Sequence, residues 1–96
     1  MTQAPGRPTL IFFTSRTDGQ SRRAEGFLAQ VLQRRHNHDT FAVRYVAQEE
    51  HPEFLERFRI AQIPAIVVVE DSKVQARLEQ PRGCDEIQTF LARWLR

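Results

Sequence analysis

Four groups of side chains in this chain could do chemistry. The first is Asp18-Gly19-Gln20-Ser21, standing ahead of an amphipathic stretch. Asp18 or Ser21 can accept hydrogen bonds from the unpaired N–H groups of a first helical turn, a capping contact worth about 0.5–2 kcal/mol. The second is the trio Arg16, Arg22 and Arg23, which flanks the same helix start. A helix N-terminus attracts anions, so a bound phosphate or carboxylate is one reading of the trio. Solvated arginines are the plainer one, and it is preferred here.

Cys84 is the third, and the chain has no second cysteine. That excludes an intrachain disulfide and any cysteine-rich zinc or iron–sulfur cage. A thiol at a helix start is acidified by the helix, but Asp85 and Glu86 beside it disfavour a thiolate. A loop or capping cysteine is the expectation; a redox-sensitive thiol or an intermolecular disulfide is the alternative. The fourth group, His36-x-His38-Asp39 with His51 as a remote fourth ligand, could suggest a metal site. One His-x-His pair in a loop is weak support for a metal site, so neither metal nor cofactor is expected.

Hydrophobic periodicity supplies the elements that would position these residues. Thr9 to Phe13 is a β-rich run without alternation, which suits a strand covered on both faces. Thr14 to Gln20 is turn-like. From Ser21, residues Ala24, Phe27, Leu28, Val31 and Leu32 fall on one helical stripe. Gly26 weakens that helix by up to about 1 kcal/mol against Ala. Arg34 and Arg35 sit where cations complement a helix C-terminus, and His36 to Asp39 ends it. Phe41, Val43 and Tyr45 alternate with Ala42, Arg44 and Val46 as in a strand. His51-Pro52-Glu53 opens a short helix carrying Phe54, Leu55 and Phe58. Ile66 to Val69 is a second unbroken run, Glu70 to Lys73 a turn, and Val74, Ala76 and Leu78 an edge strand. After the break at Pro81-Arg82-Gly83, residues Ile87, Phe90, Leu91, Trp94 and Leu95 make a last helical stripe. Trp94 is expected in the core.

The order β-α-β-α-β-β-α demands a parallel first pair with a right-handed crossover and an antiparallel closing hairpin. A four-stranded mixed sheet with helices on both faces follows, the unbroken runs central and the alternating strands at the edges.

Ninety-six residues suit one domain. Residues 1–8 read as a loose tail and residues 9–96 as the domain. Hydrophobic residues at 41% and charged residues at 27% are ordinary for a globular protein. No apolar run approaches the roughly 18 residues that cross a bilayer, and no signal-peptide pattern opens the chain, so a cytoplasmic protein without membrane partners is expected. Net charge is +2, and of fourteen basic residues only Lys73 is a lysine. The arginines are scattered among twelve acidic residues rather than drawn into a stripe, so no nucleic-acid partner is expected.

In this order the pieces resemble the thioredoxin-like family, in its short form without an extra N-terminal strand and helix, over about residues 8 to 96. Leu10 to Ser15 resembles the central strand entering the active-site loop. Asp18 to Ser21 stands where the family has C-x-x-C. Phe58-Arg59-Ile60-Ala61-Gln62-Ile63-Pro64-Ala65 resembles the segment F-x-I-x-x-I-P-T. Ile66 to Leu78 resembles the following hairpin, and Ile87 to Trp94 the final helix.

The resemblance implies a cis peptide bond before Pro64, on a loop (Gln62, Ile63, Pro64) that holds extended peptide segments. Phe13, Thr17, Gly19, Gln62, Ile63 and Pro81 would then surround the groove. The resemblance also locates the departure. Asp18 and Ser21 replace the two thiols, and dithiol exchange needs a thiolate and a resolving thiol. The implied function is a redox-inactive module that binds a protein, a peptide or a second copy of itself, with dithiol–disulfide exchange not possible and enzyme activity otherwise open. The alternative is an oxidoreductase-class or thiol-responsive protein, acting through Cys84 by mixed disulfides or weak transferase activity. A third reading has Ser21 replacing a cysteine of close relatives.

Overall fold

The two unbroken apolar runs lie side by side in the middle of one sheet. The computed structural model describes residues 7–96. In it β1 (Thr9–Thr14) and β3 (Ala65–Glu70) are flanked by β2 (Ala42–Ala47) and β4 (Lys73–Glu79), in the order β2-β1-β3-β4. β1 and β2 are parallel, with Thr9 opposite Ala42 and Thr14 opposite Ala47. β3 runs antiparallel to both β1 and β4, its register with β4 shifting between Val68 and Val69. A sequence with one parallel pair followed by a hairpin has few other ways to close.

Successive strand residues point to opposite faces, so each apolar run feeds two cores. Leu10, Phe12, Ile66 and Val68 face α1 (Gly19–Gln33) and α3 (Cys84–Leu91), meeting Ala24, Leu28, Val31, Leu32, Ile87 and Leu91. Phe13, Ala65 and Val67 face the other way, toward Phe54, Leu55 and Phe58 at α2 (Pro52–Arg57). Each fully buried Val, Leu, Ile or Phe side chain among these contributes about 1.5–3 kcal/mol over its exposed state. The α/β architecture, with helices on both faces, is the one the sequence order demanded.

The boundaries differ from the sequence reading in four places. Residues 1–6 of the expected tail lie outside the described residues, while its last two are tied to the domain. The Arg7 guanidinium donates to the Phe41 carbonyl at 3.1 Å, and the Ala42 N–H donates to the Pro8 carbonyl at 2.9 Å, extending the parallel ladder. α1 starts at Gly19 rather than Ser21, because Asp18 caps it. At its far end Arg34 is the cap, and Arg35 and His36 take left-handed backbone conformations (φ 53° and 57°) within a 3-10 segment at Arg34–Asp39. α3 ends at Leu91, and its stripe continues through turns closed by Trp94 N–H to Leu91 O at 2.9 Å and Leu95 N–H to Leu91 O at 3.2 Å. Trp94 is half-buried, edge-on to Phe41, with its ring N–H 3.4 Å from Glu70 and the Arg93 guanidinium over its face. Among the described residues no helix is long and apolar enough to cross a membrane.

Candidate functional site

β1 delivers the chain to the start of α1 at one end of the sheet. Asp18 is in extended backbone (φ −103°, ψ 119°), the geometry of an N-cap, and its Oδ1 accepts the Gln20 N–H at 3.1 Å. Ser21 does not cap the helix. Its hydroxyl donates to Asp18 Oδ2 at 3.1 Å and accepts the Ser15 N–H at 3.1 Å, and the residue is fully buried. The tetrad is therefore a closed hydrogen-bonded knot at the end of β1.

Outside the knot, Ser15 Oγ donates to Glu49 Oε2 at 2.5 Å, and the Arg16 N–H donates to Glu49 Oε1 at 3.2 Å. These bonds, the Ser15 hydroxyl foremost, hold the Glu49 carboxyl below its ordinary range despite some desolvation. Arg16 pairs with Glu50 rather than with Asp18.

The second part of the site is the segment from Arg59 to Pro64. The Ile63–Pro64 peptide bond is cis and Pro64 is buried. Polar residues of β4 and the residue after it strap this segment down. Arg77 donates to the Arg59 carbonyl at 2.9 Å, Glu79 accepts the Ala61 N–H at 3.1 Å, and the Gln80 N–H donates to the Pro64 carbonyl at 2.6 Å. Gln80 itself is left-handed, with φ 55°.

Between the two parts lies a groove of about 420 Å³, lined by Gln20, Arg23 and Phe27 of α1, by Pro64, and by Gln80, Pro81 and Arg82. It is the place where the tetrad's helix and the proline segment face a common space. Of the residues expected around it, only Pro81 and Pro64 line it. Phe13 is fully buried beneath α2, and Ile63 is half-buried against the same cluster, beside Phe13, Ala65 and Val67. Thr17, Gly19 and Gln62 are exposed but do not line the groove. Arg23 is the one member of the arginine trio that does, and Arg22 stays exposed.

Gln80 and Arg82 were not singled out by sequence reasoning. The signal was there in the polar members of β4 (Arg77, Glu79), which must face something other than core, and in the chain break at Pro81.

The other candidates are separate from this groove. Cys84 opens α3 half-buried, its Sγ 3.0 Å from Gln30 Oε1 and 3.7 Å from the Phe27 carbonyl. His38 lies 3.6 Å from Asp39, and His51 pairs with Glu53 at 3.3 Å. Among the described residues no three His, Cys, Asp or Glu side chains converge as a metal would require.

No protein-family model matches the chain, and no curated protein matches it. Solved structures do. Fasciola hepatica thioredoxin superposes with a TM-score of 0.79 at 15% identity, over 93% of this chain and 82% of that one. Oxidised Plasmodium falciparum thioredoxin gives 0.79 at 13% identity, over 95% and 84%. Trxlp from Edwardsiella tarda gives 0.76 at 19% identity, over 90% and 82%. The chain has the thioredoxin-like fold.

Proposed function

We propose that this protein is a peptide- or protein-binding module that works through the groove beside Pro64 and carries out no dithiol–disulfide exchange. The observation that carries the reading is the groove itself. It lies between α1 and a proline segment already held by three bonds from Arg77, Glu79 and Gln80. A surface fixed in advance loses little freedom on binding, so more of the contact energy appears as affinity. Half-buried Phe27 offers apolar contact, with Pro64 and Pro81 buried in the wall behind it, and the Gln20 and Gln80 amides can bond the main chain of an extended segment. At the helix start, where exchange chemistry would need two thiols, Asp18 and Ser21 bind each other instead.

The test is titration of the 15N-labelled protein with unstructured decapeptides of varied composition. Expected are amide shifts grouped on Gln20, Arg23, Phe27, Gln80 and Arg82, and their loss in Gln20→Trp, which fills the groove from an exposed helix position. Shifts confined to another face, or none with any peptide, would sink the reading.

A further inference from the structure

We infer that the segment taken by this groove is an acidic peptide, read by Arg23 and Arg82; the inference rests on the peptide-binding reading above. Both side chains are exposed on the groove's rim, one from α1 and one from the turn before α3. No carboxylate lines the groove, and neither arginine is in an ion pair among the described residues.

Glu25 and Asp85, two and three residues from Arg23 and Arg82, are exposed and do not line the groove, and three further acidic residues are engaged elsewhere. Asp18 accepts from the Gln20 N–H and the Ser21 hydroxyl, Glu79 from the Ala61 N–H, and Glu86 from the Arg82 N–H at 2.8 Å. The last bond fixes the main chain of Arg82 while leaving its guanidinium free. Several other arginines are spoken for: Arg16 by Glu50, Arg77 by the Arg59 carbonyl, Arg34 by Gln88, and Arg57 by the Phe54 ring.

Two unpaired guanidinium groups beside half-buried Phe27 fit carboxylates that flank an apolar residue. Each planar fork can take a carboxylate through two parallel hydrogen bonds. Phosphate would satisfy the same forks. Two rim arginines in a chain of net charge +2 do not make the stripe that a nucleic-acid backbone needs, so the observations favour the peptide.

The experiment uses fluorescein-labelled decapeptides built on one Ser-Gly frame with a central Leu and Glu, Gln or Lys at the flanking positions. Binding is read by anisotropy against the full chain at low and at moderate salt. The Glu series is expected to bind roughly tenfold tighter than the Gln series at low salt, with the gap shrinking as salt rises. Arg23→Glu with Arg82→Glu should invert the order, so that the Lys series binds best, and circular dichroism of this surface variant checks that it folds.

If Glu and Gln peptides bind alike while Gln20→Trp weakens both, the acidic preference is wrong and the groove reading survives. If no series binds in a way that Gln20→Trp weakens, both fall. A single-stranded oligonucleotide of equal charge binding tighter than the Glu series would overturn the peptide as the occupant.

Discussion

Ser21 and Asp18 meet across the first turn of α1, the buried hydroxyl donating to the carboxylate at 3.1 Å while accepting the Ser15 N–H at 3.1 Å. One side chain thus ties the end of β1 to the helix cap. Ser21→Ala leaves a buried N–H unpaired and is expected to cost about 1–3 kcal/mol. Asp18→Ala removes the cap and should cost about 1 kcal/mol. Because the two residues share a bond, the double variant should lose less than the sum of the singles. Urea unfolding of the three variants measures this, and strict additivity would show that the knot is not coupled.

Glu49 gives the acid side of the stability curve a specific residue. Its carboxyl is held below the ordinary value of 4.5, first by the Ser15 hydroxyl, then by its own N–H and the Arg16 N–H and charge, with desolvation opposing. A depressed folded-state pKa contributes stability that is present above the unfolded value and is lost as pH falls through the folded one. Ser15→Ala removes the largest of these causes, so its stability should decline less between neutral and acid pH than that of the parent. Urea midpoints taken across that range decide it; parallel curves would remove Glu49 from the account.

The sheet order was legible because Leu10 to Phe13 and Ile66 to Val69 are unbroken where Val43 to Tyr45 and Val74 to Leu78 alternate, and only central strands are buried on both faces. The cap was legible from residue type only as Asp18 or Ser21, and the structure gives it to Asp18. Ser21 was half-read. Its position at the helix start was clear, but whether its hydroxyl turns to the helix or back to Ser15 depends on how β1 approaches, which no local pattern encodes. Ile63 was misplaced on the groove for a related reason. A residue before a proline can face either way, and here it packs toward Phe13 and Val67. Arg23 and Arg82 come together only through the fold, from positions 59 residues apart.

Asn37 is a further residue whose weight only the fold reveals. It is 2% exposed and closes the end of α1: its Nδ2 donates to the Arg34 carbonyl at 2.7 Å, and its Oδ1 accepts from Thr40 Oγ1 at 3.2 Å and from the Arg96 N–H at 2.8 Å. Asn37→Ala removes three bonds that are partly buried. A loss of about 1–3 kcal/mol is expected, with faster amide exchange at Thr40 and Arg96 as the local signature. Asn37→Asp keeps the acceptor but removes the donor, so it should spare Arg96 and expose the end of α1.

That the chain carries out no dithiol exchange is a proposal open to a direct gain-of-function test. The Asp18 and Ser21 side chains already touch, three residues apart at a helix start, where the helix favours a thiolate. Asp18→Cys with Ser21→Cys therefore puts two thiols in reach of each other at the position that acidifies them. This variant is expected to catalyse reduction of insulin by dithiothreitol, at the expense of the cap and of the acceptor for the Ser15 N–H, and so of about 1–3 kcal/mol of stability. The parent should not exceed the uncatalysed rate, since Cys84, held against Gln30 Oε1 and the Phe27 carbonyl, has no second thiol in the chain to resolve a mixed disulfide. Catalysis by the parent that disappears in Cys84→Ser would instead assign the chemistry to that lone thiol, and the binding-module reading would then have to give way.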